Sequence, residues 1–87
     1  MTNTKNKASK LKSVYLTKYE YSMLVGRRAE QITMNYPIRI DYEPGESEIS
    51  IAEKEIKAGV APVVLVRPTP GGGEERYFCT QFKTNHL

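Results

Sequence analysis

Eighty-seven residues with 13 basic and 10 acidic side chains, a net charge of +3 and a pI near 9.1 amount to one small domain with a thin stability margin. The single cysteine, Cys79, excludes an intramolecular disulfide and any cysteine-cluster metal site. The longest apolar run, Val63 to Val66, is far too short to span a membrane, and no apolar h-region follows the basic start.

The basic excess is unevenly placed. Lys5, Lys7, Lys10 and Lys12 fall in the first 13 residues, which hold no acid, while the other nine basic residues face all ten acids. Met1 and Leu11 are the only large apolar residues there, too few to offset the entropy of ordering the segment. Residues 1–13 therefore read as a disordered basic arm and 14–87 as the folded domain. The arm could touch phosphate with a steep salt dependence, or act only as a solubilising tail.

Leu16-Thr17-Lys18-Tyr19-Glu20 reads as a helix start, with Thr17 as cap and Glu20 reaching back to complete a capping box. Tyr21, Leu24, Val25, Ala29 and Ile32 then share one face at helical spacing. This helix should run to about Met34 and stop before Pro37. Arg28 falls inside the apolar face, where a guanidinium needs a partner. Two readings stay open, an internal ion pair and a contact offered to another chain.

Ile38, Ile40 and Tyr42 alternate with Arg39 and Asp41, the pattern of a short half-buried strand. Glu43-Pro44-Gly45-Glu46 is a turn. A second helix follows, capped by Ser47 or by a Ser50 and Glu53 box, with Ile49, Ala52 and Ile56 on one face and Gly59 at its C-terminus. Val63 to Val66 reads as a buried strand, and Pro70 to Gly73 as a hairpin turn. The return strand is placed at 76–82, with Phe78, Thr80 and Phe82 on one side and Tyr77, Cys79 and Gln81 on the other. These elements predict an α+β domain, two helices packed with a short, mostly antiparallel sheet that includes a C-terminal hairpin.

No catalytic constellation emerges. The triple glycine lacks the Gly-Lys-Ser/Thr ending and leads into a strand, so it is not a phosphate cradle. His86 sits one residue from the C-terminus, a poor place for a general base, and Cys79 reads as a structural thiol that fits a reducing interior. The carboxylates at 41–48 and at Glu53, Glu55, Glu74 and Glu75 read as solvated surface. Arg76, Tyr77, Phe78 and Lys83 are the nearest approach to a stacking platform for single-stranded nucleic acid.

The run Leu16-Thr17-Lys18-Tyr19-Glu20, then Gly26, Arg28-Ala29 and Gln31-Ile32, resembles the small subunit shared by the three eukaryotic nuclear RNA polymerases. That subunit has an archaeal counterpart, subunit K, and a bacterial one, omega. Pro37-Ile38, Ile51-Ala52, Glu55, Lys57-Ala58, Gly59 to Pro62 and Val63 to Pro68 continue the likeness in one register as far as Phe82. The short basic arm replaces the long acidic extension of eukaryotic members. Tyr77 stands where they often have tryptophan, and Val66-Arg67 where they have two arginines. These departures resemble an archaeal-type or viral-type member.

The resemblance implies a subunit with no active site, cofactor or metal, which packs on the largest polymerase subunit and promotes assembly of the transcribing complex. Thr17, Tyr19, Glu20, Arg28, Gln31 and Arg67 are then the partner-binding candidates. DNA is reached only through the complex, and no membrane or small-molecule substrate is involved. Localisation would be cytoplasmic for an archaeal-type member, and nuclear or at a viral transcription site otherwise. The alternative is a small independent nucleic-acid-binding module using the lysine arm and the C-terminal strand.

Overall fold

The computed structural model describes residues 12–87, and the expectation for the arm over 1–11 lies outside the described residues. Helix α1 (Lys18–Thr33) starts at the predicted cap, with both halves of the Thr17–Glu20 capping box formed. Its buried face is Leu24, Val25, Arg28, Ala29 and Ile32, and Tyr21 packs partly buried against the same core. The helix closes at its C-cap, Met34, in a Schellman arrangement, with Asn35 left-handed at φ 70°. The Tyr36 N–H donates to the Gln31 carbonyl at 3.0 Å and the Asn35 N–H to the Ile32 carbonyl at 2.9 Å. Pro37 then bars any continuation.

The alternating stretch 38–42 forms no strand. Ile38 and Ile40 do turn half-buried against the core, whereas Tyr42, the third residue of the alternation, is exposed, so the pattern reports burial only at its first two positions. A strand needs a neighbouring backbone, and here the Arg39 N–H donates instead to the Glu55 side chain at 2.7 Å. The turn at 43–46 is present, closed by the Glu46 N–H on the Glu43 carbonyl at 3.0 Å.

Helix α2 (Glu48–Ala58) is capped by Ser47, whose hydroxyl accepts the Ser50 N–H at 3.1 Å. It buries Ile51, Ala52, Glu55 and Ile56. Ile49 is 51% exposed, contrary to its expected place on the inner face. At 100° per residue it falls just outside the arc that Ile51, Ala52, Glu55 and Ile56 define, on the first turn of the helix. Gly59 ends the helix at φ 77°, with its N–H on the Ile56 carbonyl and that of Val60 on the Glu55 carbonyl.

Strand β2 (Val64–Pro68) pairs antiparallel with β3 (Glu74–Phe78), placing Leu65 opposite Tyr77 and Arg67 opposite Glu75. Gly71 and Gly72, both at positive φ, make the turn. The return strand starts two residues earlier than 76 and stops at Phe78, where a 3-10 turn (Cys79–Gln81) intervenes. The Gln81 side chain bends the chain there, accepting the Phe78 N–H at 2.9 Å and donating to the Lys12 carbonyl at 2.8 Å. Tyr77, Cys79 and Gln81 still face inward, so the predicted sidedness survives the break.

Beyond the turn, β4 (Phe82–Lys83) runs parallel to β1 (Val14–Tyr15), a ladder of two residues per strand that hydrophobic periodicity cannot reveal. The His86 Nε2 donates to the Leu16 carbonyl at 2.7 Å, and the imidazole stands edge-on to Tyr15, so the lone histidine ties down the tail. The core gathers Leu16 and Leu24 from the α1 end, Ile56 from α2 and Leu65 from β2, all nearly inaccessible. Cys79 lies among them, its thiol pushed up by burial, as a structural residue should be.

Replacing Gly59 by alanine tests the capping geometry. A Cβ there would meet Thr80 Cα at 3.6 Å, an ordinary contact, so the cost is conformational. We expect Gly59→Ala to lose about 1–2 kcal/mol in urea denaturation, with Gly59→Asn losing less.

Candidate protein-interaction surface on the first helix

The start of α1 is held by more than its own cap. Thr17 donates its N–H to Glu20 Oε1 at 3.0 Å and accepts the Glu20 N–H on its hydroxyl at 3.0 Å. Arg67, from β2, grips the same carboxylate with two donors, Nε on Oε2 at 2.9 Å and Nη2 on Oε1 at 2.7 Å. Its Nη2 also reaches the Tyr15 carbonyl at 2.9 Å, and the guanidinium lies 5.9 Å from the Tyr77 ring centroid. The Arg67 hydrogen bonds outweigh the effect of partial burial and lower the Glu20 carboxyl from 4.5 to about 2. Thr17, Glu20 and Arg67 therefore form one cluster.

Arg28 sits at the middle of the inner face with none of its surface exposed, and Glu55 of α2 is equally enclosed. The Arg28 Nε and Nη2 both bond the Glu55 carboxylate, Nη2 at 3.0 Å from Oε2. The remaining arms reach Gln31 Oε1 at 3.0 Å and the Pro37 carbonyl at 2.7 Å, so four donor hydrogens are used. Burial alone would raise the Glu55 carboxyl. Hydrogen bonds from Arg28 and the Arg39 N–H, with both guanidinium charges, more than reverse that and lower it overall.

Of the two readings left open for Arg28, the structure displays the internal ion pair. The guanidinium is not on the surface, and Gln31 is engaged in orienting it. Tyr19 is the opposite case, 76% exposed on the outer side of α1. Among the candidates, then, Thr17, Glu20 and Arg67 cluster at one end of the helix and Arg28 with Gln31 at its middle. Tyr19 faces outward.

Two surface expectations change. Glu55, which the sequence alone places with the solvated carboxylates, is the buried partner of Arg28. Its signal was present, since it lies three residues after Ala52 and one before Ile56 on the inner face. Tyr77 cannot serve an open stacking platform because it is buried, with its hydroxyl donating to Glu75 at 2.7 Å. Arg76 and Phe78 are exposed on the opposite side of β3.

The sequence model of the family described as RNA polymerase Rpb6 matches residues 10–63, a span that contains α1, α2 and both partners of the buried ion pair. The chain belongs to the Rpb6 family. The subunit rpabc2 of DNA-directed RNA polymerases I, II, and III from Dictyostelium discoideum is 43% identical over 58 residues, 67% of this chain and 44% of that protein. The Saccharomyces cerevisiae RPABC2 is 41% identical over 61 residues, 70% of this chain and 39% of its own. The DNA-directed RNA polymerase subunit Rpo6 of Thermofilum pendens is 41% identical over 59 residues, 67% of this chain and 73% of that subunit. The chain thus spans about two fifths of those two eukaryotic relatives and most of the archaeal one. Near-equal identities give no lineage preference.

Breaking the buried pair leaves one charge without a partner. Arg28→Met or Glu55→Gln alone should cost the isolated domain about 3–5 kcal/mol in chemical denaturation, and the Arg28→Met/Glu55→Leu double variant should recover much of it. The Glu20 cluster predicts a different signature. A carboxyl lowered from 4.5 to about 2 on folding stabilises in full above pH 4.5, and the contribution is lost as pH falls through 2. Acid unfolding of wild type and Glu20→Gln should therefore differ at neutral pH and converge near pH 2.

Proposed function

We propose that this chain is a non-catalytic subunit of DNA-directed RNA polymerase that binds the largest subunit and promotes assembly and stability of the transcribing enzyme. The observation that carries the reading is the family match across both helices, with relatives named as polymerase subunits. The geometry supports it. Ion pairs fix α1 at its N-terminus and middle, yet its outer side keeps a large aromatic, Tyr19, in solvent. A small domain with a rigid helix and an exposed tyrosine gains by docking, since burying that ring on a partner stabilises both chains by mass action.

In this reading Tyr19 touches the partner, with Thr17 and Glu20 setting the angle at which the helix start is presented. Arg67 locks that angle, and Arg28 with Gln31 holds the helix on α2. DNA is approached only through the complex, and the chain works wherever its polymerase does, in the cytoplasm for an archaeal-type enzyme. A nuclear or viral site belongs to the other lineages. The alternative of a free-standing nucleic-acid module has less support, because its tyrosine is enclosed.

Affinity purification of the tagged chain should recover the largest polymerase subunit. Tyr19→Ala should lower that recovery several-fold while changing unfolding free energy by no more than about 0.5 kcal/mol. Recovery of no polymerase subunit would overturn the proposal, and an equal loss in both assays would move Tyr19 from contact to folding.

A further inference from the structure

The chain between α2 and β2 and the end of β3 line an open cavity of about 370 Å³. Its wall is apolar, with Val60 and Phe78 well exposed beside it and Val64 half-buried between them. Among the described residues Arg39 is the only charged one in the lining. Its guanidinium makes no hydrogen bond or ion pair among the described residues, while its backbone N–H is anchored at 2.7 Å on buried Glu55. The cation at the rim is therefore tethered through its main chain to the ion pair at the centre of the domain; its charge is felt by Glu55, but its donor hydrogens are not taken up among the described residues.

We propose that this groove docks a segment of another polypeptide that places an apolar side chain between Val60, Val64 and Phe78 and a neighbouring carboxylate on Arg39. Charge decides the occupant. Among the described residues no carboxylate lines the groove, so an acidic group on the incoming chain meets guanidinium donors without a hydrogen-bond partner and no repulsion from the wall. Like charge rejects the chain's own first residues, whose lysines would be repelled by Arg39. An open wall of valines and a phenylalanine suits one apolar anchor with a polar flank, the usual build of an interface centre. This groove lies apart from Tyr19, and the inference stands on the groove's own chemistry, whichever complex the chain joins.

A photo-crosslinking amino acid, p-benzoylphenylalanine, placed at Phe78 reads the occupant directly. The full chain would be expressed in its native cells, purified with its bound partners and irradiated, and the crosslinked peptide sequenced. The expected product is a segment of another chain in which Asp or Glu lies within about two residues of the crosslinked apolar residue. Arg39→Gln should lower its yield about five-fold, and Arg39→Lys should restore part of it. A crosslink to a neutral or basic segment, to nucleic acid or to a second copy of this chain would overturn the proposal. So would a yield indifferent to Arg39, or no crosslink from a preparation that retains its partners. Absence of polymerase subunits from the preparation would sink the proposed function alone, because an Arg39-dependent crosslink to an acidic segment of any other chain would still support the groove.

Discussion

The enclosed pair of Arg28 and Glu55 is the interaction on which the rest of this small domain depends. Two charges removed from water cost far more than their mutual attraction returns unless every remaining donor and acceptor is also satisfied. Here the surplus hydrogen bonds do that and, in doing so, organise the chain around them. The guanidinium takes the Pro37 carbonyl and the Gln31 amide oxygen, and the carboxylate takes the Arg39 N–H. The stretch after α1 has no strand partner, so the pair supplies hydrogen bonds that a ladder would have supplied. One interaction thus fixes α1 against α2 and the intervening loop against both.

A second, half-exposed ion pair works at the N-terminal end of α1. Glu20 closes the capping box and also receives Arg67, so the signal that starts the helix is the group that ties it to the hairpin. Arg67 in turn covers the Tyr77 ring, whose other neighbour is Lys12 at 6.0 Å from the ring centroid. The hairpin, the strand before α1 and the helix start are therefore tied together by one set of side-chain contacts. A rigid helix with an uncovered aromatic on its outer side is a different object from a marginal domain that folds only on a partner. Pinned at its start by Arg67 and again at Arg28 by Glu55, α1 fits the first description.

Membership of the Rpb6 family and the geometry bear on different questions. The family match concerns the company such chains keep, and covers the region 10–63 that holds both helices. The hairpin lies largely beyond that region, yet it supplies Arg67 and the wall of the apolar groove. The helical part and the hairpin are thus joined by side chains rather than by a common sheet. The apolar groove lies where the two meet, with Arg39 and Val60 from the matched region facing Val64 and Phe78 from the hairpin.

Local features were legible in the order of residues. The Thr17–Glu20 box, the Ser47 cap, Gly59 and the glycine turn all act over a few residues, so their chemistry alone determined where both helices and the hairpin begin or end. Burial was nearly as readable, since apolar alternation placed Ile38, Ile40, Tyr77 and Cys79 on the correct sides. What the alternation could not show is whether a backbone finds another beside it, and so 38–42 reads as a strand and is none. The ladder between Val14–Tyr15 and Phe82–Lys83 and the meeting of Arg67 with Glu20 join positions far apart in the chain. The choice for Arg28 between another chain and Glu55 had the same character. An arginine on an apolar stripe demands a partner, but only the packing of α1 on α2 brings that carboxylate within reach.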